Sequence, residues 1–170
     1  MKIKLINNLV RVVVICLVIF FAFLDLSMAA QNLSLADIAW RVKTPEALAG
    51  WLSSNVRYEF AIGDGWQAPE EIVKLRKGDC DDFAVLAKAV LKEIGIKSDV
   101  VVLRFKGLSI AHAICVWKSA SGNVSFISNQ KLYHTAESDV RQAILKYYPD
   151  LETIVYTDKD MRYTRFVKAQ

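Results

Sequence analysis

The chain is poor in cysteine and histidine. Three cysteines and two histidines occur in 170 residues, and one of the cysteines, Cys16, lies in an apolar N-terminal stretch. Only Cys80 and Cys115 remain, too few for a small exported scaffold stapled by disulfides, which usually carries four or more. No CxxC pair, no HExxH and no calcium-loop spacing with its closing Glu occurs, so the metal signatures readable from sequence are missing. There is no internal repeat and no low-complexity segment. Nor does the charge lean far to one side: 22 Lys and Arg stand against 18 Asp and Glu. Three of those bases and one acid fall in the N-terminal stretch, so the remainder is closer still to balance. Nucleic-acid binders normally show a basic stripe. The densest basic stretch here, Lys74-Leu75-Arg76-Lys77, reads as a solvated helix end. No nucleic-acid partner is expected.

What is present begins with a leader. Lys2, Lys4 and Arg11 give a basic start, Val12 to Leu24 is unbroken apolar sequence, and Ser27-Met28-Ala29 supplies small residues before a cleavage point. That is the layout of a secretory signal peptide. The run is short for a membrane span, which takes about 20 residues. Residues 1–29 are therefore expected to be a signal peptide and residues 30–170 the working domain. The product is exported, periplasmic or secreted, with no stable membrane insertion after cleavage. Retention as an uncleaved anchor and burial as a core helix are the alternatives.

The rest reads as helices first and strands after. Ser34 can cap a short helix, and Thr44-Pro45-Glu46 is a helix start running towards Asn55. Arg57 to Phe60 looks extended, Gly63-Asp64-Gly65 is a loop, and a short helix from Pro69 stops at Gly78. Asp79 then caps Cys80 to about Ile94, closed by Gly95. Phe83, Leu86, Ala87, Val90, Leu91 and Ile94 recur at helical steps, so this helix is mostly buried. Beyond Gly95 the period becomes that of strands: Asp99 to Phe105, Ala111 to Trp117 and Val124 to Ser128. A helix around Ser138 to Tyr147 follows, then strands at Ile154 to Tyr156 and Arg162 to Val167. This order indicates an α+β domain with an antiparallel sheet.

Cys80 is placed for chemistry. At a helix N-terminus the unpaired amides and the dipole favour a thiolate, so its pKa is expected below the free value of about 8.5. The same amides suit the oxyanion of acyl transfer. His112 falls in the strand after that helix, and alternation groups it with Ile114 and Val116, leaving Cys115 on the other face. With His112 towards the Cys80 helix, Cys115 points away and no Cys80–Cys115 disulfide is expected. His134, in Tyr133-His134-Thr135, reads as a surface loop residue. Asp79, Asp81, Asp82 and His112 offer a cation site as the weaker reading; more simply, Asp81 and Asp82 favour the positive end of the helix.

Gly78-Asp79-Cys80-Asp81-Asp82-Phe83-Ala84-Val85-Leu86, followed by Leu91-Lys92-Glu93-Ile94-Gly95-Ile96-Lys97, resembles the core signature of the transglutaminase-like superfamily. Asn55-Val56-Arg57-Tyr58, Trp66, Ala68-Pro69-Glu70-Glu71 and Ala111-His112-Ala113 resemble its flanking motifs, in order, over roughly Ile38 to Gln130. The chain is similar in size and layout to the small exported transglutaminase-like cysteine proteinases. The resemblance implies a papain-like or transglutaminase-core fold, Cys80 as nucleophile and His112 as base. One departure stands out. The family's triad aspartate falls on Ser128, and no acid occurs from Asp99 until Glu137. Asn129 is the candidate third member, since a neutral amide orients the base in Cys-His-Asn proteases; Ser128 is the weaker alternative. The expected activity is cysteine-dependent acyl transfer on protein or peptide amides through a thioester, with hydrolysis favoured. A protein-crosslinking transglutaminase and a catalytically decayed protein-binding domain are the rivals. No cofactor is called for, and a calcium requirement stays open.

Overall fold

The computed structural model describes residues 13–17, 19, 33–61, 65–158 and 160–169. It divides into two units, Met1–Leu33 and Ser34–Gln170. In the first, the described residues of the apolar run are helical and exposed. The basic start and the Ser27-Met28-Ala29 cleavage sequence lie outside the described residues, as do Gly63 and Asp64. No helix among the described residues is long and apolar enough to cross a membrane.

The second unit opens with short helices fixed by local caps. In α1 (Leu35–Val42) Ser34 and Asp37 exchange side-chain and backbone hydrogen bonds at 3.0 and 3.1 Å, a capping box. In α2 (Pro45–Asn55) Thr44 accepts from the Ala47 amide and Pro45 takes the first helical position. Strand β1 (Arg57–Tyr58) pairs in parallel with β2 (Lys77–Gly78), and α3 (Pro69–Leu75) lies between them. α3 thus stops earlier than Gly78. Arg76 turns left-handed at φ 53°, and its carbonyl is then taken by the Arg57 amide at 2.9 Å. Helix α4 (Cys80–Glu93) buries Phe83, Leu86, Ala87, Val90 and Leu91. It closes where Gly95 adopts φ 81° and the Ile96 amide reaches back to the Leu91 carbonyl at 2.8 Å, a Schellman turn.

Six antiparallel strands follow: β3 (Ser98–Phe105), β4 (Ala111–Lys118), β5 (Val124–Ser128), β6 (Lys131–His134), β7 (Leu151–Thr157) and β8 (Tyr163–Lys168). Their order in the sheet is β6-β5-β4-β3-β7-β8, with α5 (Val140–Leu145) between β6 and β7 in sequence. β6 occupies the stretch expected as a loop. It pairs with β5 from Ser125↔His134 to Ser128↔Lys131. His134 is still exposed, as expected of it, and its ring reaches Glu46 at 3.2 Å. The α+β class with an antiparallel sheet is as the residue pattern indicated.

The sheet buries both faces. Val101, Leu103, Ile114, Val116, Phe126, Leu151 and Ile154 pack with Ile144 of α5 and with Tyr148 on one. Val100, Val102, Ala113, Cys115, Ile127 and Val155 have the opposite parity and are also buried. Helix α4 packs on β3, β4 and β5, and the Lys88 charge is felt at Cys115, so α4 covers this second face. The expected orientation is therefore reversed. Cys115 lies on the helix side of β4, and His112 shares the parity of Ile114 and Val116. Cys80 and Cys115 are nevertheless both free thiols.

Candidate active site

Cys80 is the first residue of α4, and the turn before it explains the Gly-Asp-Cys sequence. The Asp79 amide donates to Asp82 Oδ2 at 3.1 Å, and Gln67 Nε2 donates to the same oxygen at 2.8 Å. Asp82 must fold back tightly to do this. A Cβ on Gly78 would stand 2.5 Å from Asp82 Cβ and 2.6 Å from its Oδ2. Only glycine leaves room for the carboxylate that fixes the start of the helix.

The thiol is partly buried, and its electrostatics are mixed. The Ala113 and Asp81 amides favour the thiolate, but burial and the Asp79 and Asp81 carboxylates oppose it, and the net shift is upward. This corrects the expectation of a depressed pKa. The helix end acts as expected, but two acids beside it and the loss of water outweigh it. Asp81 shows the same crowding. Burial, and then the Asp79 side chain, push its carboxyl up from 3.8 to about 7. Ligand atoms of Asp79, Cys80 and Asp81 all lie within 4.8 Å of one another, and Asp79 Oδ1 is buried with no hydrogen-bond partner.

His112 enters from β4, two places along the strand from Ile114. Its Nε2 lies 2.7 Å from Ser128 Oγ, which lies 2.9 Å from Tyr148 Oη. The Tyr148 ring also flanks the imidazole, with centroids 5.9 Å apart. Burial lowers the His112 pKa, so the ring is neutral near pH 7. Asn129, the expected third member, is not brought to the imidazole. It turns left-handed at φ 51° as β5 ends, and its Oδ1 is buried without a hydrogen-bond partner. Strand parity explains the outcome. Ser128 has the parity of Phe126, whose face carries Tyr148, and His112 is on that face too. Tyr148 escaped sequence reading altogether. It lies just beyond α5, and nothing in its neighbours distinguishes it from a core tyrosine.

Cys80 and His112 meet at the end of the sheet although they approach it from opposite faces. The thiol is held by the Ala113 amide of β4. Cys80, Asp81, His112, Ala113, Trp66 and Tyr163 line one cavity of about 230 Å³. The cavity brings together a thiol and a neutral imidazole whose Nε2 is held by Ser128. That is the equipment for acyl transfer.

An α+β fold with a helix-terminal cysteine and a strand histidine in one cavity defines a cysteine–histidine site of the transglutaminase-like kind. The sequence profile of the transglutaminase-like domain matches residues 26–146, and the chain belongs to that family. No curated protein sequence matches. Among solved structures, Legionella pneumophila LapG superposes with a TM-score of 0.53 at 19% identity, over 79% of this chain and 74% of that one. A calcium-bound form of Legionella pneumophila LapG gives 0.50 at 18% identity, over 72% and 67%. A candidate cysteine protease from Cytophaga hutchinsonii gives 0.48 at 16% identity, over 80% and 51%.

Proposed function

We propose that the protein is an exported cysteine peptidase or amidase with Cys80 as nucleophile, His112 as base, and Ser128 with Tyr148 in place of the triad acid. The observation that carries this reading is the chain of contacts on His112. With Nε2–H donating to Ser128 Oγ, and Ser128 O–H donating on to Tyr148 Oη, the imidazole is left with Nδ1 as an acceptor. That is the tautomer a base needs, and a triad acid normally selects it.

Thiol and imidazole both rest neutral, since burial disfavours charge on each. The thiol proton passes to His112 Nδ1 as the sulfur bonds to the substrate carbonyl carbon. The oxyanion is met by the amides at the start of α4. Collapse breaks the C–N bond, and the amine leaves with the proton from His112. Water then attacks the thioester, giving its proton to His112. Collapse of this second adduct breaks the C–S bond and releases the acid product, and the thiolate takes its proton back from His112. Ser128 offers dipoles where an aspartate offers charge, so the imidazolium is stabilised less and turnover is slow. Hydrolysis is favoured over crosslinking because the mouth of the cavity is open to water, with Tyr163 half exposed.

No cofactor takes part in these steps. Asp79 and Asp81 nonetheless fit a hard cation such as calcium, given the orphaned Asp79 oxygen and the crowded carboxylates. Bound there, it would offset the two charges that oppose the thiolate. The basic start and apolar run of residues 1–24 support export, with the domain beginning after Ala29. The test is turnover of peptide and amide substrates, with calcium and with chelator, by the native chain and by Cys80→Ala. Release of amine that disappears in Cys80→Ala supports the reading. No release under any condition supports a binding domain instead, and transfer to added amine in preference to water supports a transglutaminase.

A further inference from the structure

The cavity at Cys80 has a neighbour across Trp66. The same indole walls a second, larger depression of about 610 Å³, bedded on Pro69, Val85, Ala89 and Met161 and edged by Lys88 and Lys92. Those two lysines also edge a third, of about 380 Å³, which reaches Lys97. Gly95, Ile96 and Lys97 are shared in turn with a fourth, of about 530 Å³, which carries Lys118 and Arg165. The depressions thus follow α4 from its Cys80 end to its Gly95 end and continue past it.

Beyond the cavity that Asp81 lines, the charge along this path is mostly positive. None of the ion pairs among the described residues involves Lys88, Lys92, Lys97 or Lys118. Of the acids on the path beyond the cavity, Asp160 is engaged by Arg162 at 2.8 Å, which leaves Asp99 at the far end. Arg165 is exposed and lies 3.9 Å over the Tyr156 ring. These lysines stand out because the chain as a whole is close to charge balance.

We infer that this groove is the docking path for the substrate of the reaction proposed above, and that the substrate is an extended, acidic stretch of polypeptide. Helix α4 has 14 residues, about 21 Å at 1.5 Å per residue, the reach of about six extended residues. The apolar bed beside Trp66 takes a side chain close to the cleaved bond, and the lysines take Asp or Glu farther along. A polypeptide fits better than a nucleic acid. The bed nearest the thiol is apolar and the path leads to an amide-cleaving site, whereas single-stranded nucleic acids use successive aromatic platforms. The inference rests on the peptidase reading, and the experiment separates the two.

Fluorescein-labelled peptides of about twelve extended residues, one with spaced glutamates and its twin with glutamines, are titrated against the full-length Cys80→Ala chain. Binding of the glutamate peptide should be tighter by about tenfold or more and should weaken steeply with salt. It should fall by about fivefold or more in Cys80→Ala carrying Lys88→Glu and Lys92→Glu. Should that double reversal fail to fold, Lys92→Gln with Lys97→Gln, both exposed, replaces it. Equal binding of the twins, indifference to the lysine changes, or equal binding of a single-stranded oligonucleotide overturns the inference. Turnover of the glutamine twin by the native chain reports on the peptidase reading alone. Charge-selective binding with no turnover of either peptide overturns that reading, and with it the assignment of the occupant as substrate.

Discussion

Cys80 and Cys115 stand on the same side of the sheet within one small domain, and their surroundings differ in almost every respect. Cys115 is in the middle of β4 with no exposure, and burial pushes its thiol up to about 12. Its sulfur is packing material. Cys80 is also pushed up by burial, but two amides favour its thiolate and it opens on a cavity shared with a neutral histidine. The helix end alone does not make Cys80 acidic, because Asp79 and Asp81 work against it. Access, a neighbouring imidazole and amides on the sulfur distinguish the two thiols.

The largest effect expected from breaking this comparison is loss of the sulfur itself. Cys80→Ala should lower turnover by about 10⁴-fold or more, as loss of a catalytic nucleophile does. Its circular dichroism and melting point should match the parent, because the residue is only partly buried. Cys115→Ala should behave the other way. Turnover should persist while stability drops by about 1 kcal/mol, the scale of one buried heavy group, read from denaturant midpoints.

Next in size is the link from Ser128 to Tyr148. Ser128→Ala removes the partner of His112 Nε2 and should lower turnover by about tenfold to a hundredfold. Tyr148→Phe leaves Ser128 in place and should cost less, about threefold to tenfold. Ser128→Asp should raise turnover, since a carboxylate there accepts from both His112 and Tyr148. It should also raise the His112 pKa from its depressed value. The stabilisation this adds is fully present below the unfolded histidine pKa and is lost as pH rises through the raised folded one. A rate profile whose acidic limb moves to higher pH in Ser128→Asp is a change that a merely structural serine would not produce.

Much of this was legible in the sequence. The α4 helix, its Asp79 start and its Gly95 stop followed from periodicity and capping residues, and the transglutaminase-like resemblance followed from Gly78 to Ile96. Three parts were hidden. Strand alternation correctly grouped His112 with Ile114 and Val116, but not which face α4 covers, because parity carries no information about which layer lies where. The partner of His112 was hidden for a related reason. Ser128 and Asn129 are adjacent, and the choice between them depends on where β5 ends and Asn129 turns left-handed. The upward thiol shift is the third, because the dipole of one helix is visible in sequence, whereas the desolvation of its first turn is not.

Smaller effects test the acids. Asp81 ionises at about 7 in the fold against 3.8 ordinarily, so the folded state holds an extra proton between those values. Its contribution to stability therefore falls as pH rises from 3.8 towards 7. In calcium-free buffer, Asp81→Asn should remove that slope, melting higher than the parent at pH 8 and nearly equal to it at pH 4. It should also speed alkylation of Cys80 at pH 8 by a few-fold, because one charge opposing the thiolate is gone. The smallest effect is at Asn129. Asn129→Ala should leave turnover nearly unchanged and cost about 1 kcal/mol, since alanine tolerates a left-handed backbone less well. A large loss of turnover there would return the orienting role to Asn129.

The central claim is tested most directly by timed alkylation of the native protein with iodoacetamide near neutral pH, with each cysteine quantified by mass spectrometry. Cys80 should be modified steadily and Cys115 only after unfolding. His112→Ala should slow the Cys80 reaction and leave Cys115 untouched. Equal labelling of Cys80 and Cys115 in the folded protein, or a Cys80 rate indifferent to His112, would contradict the account.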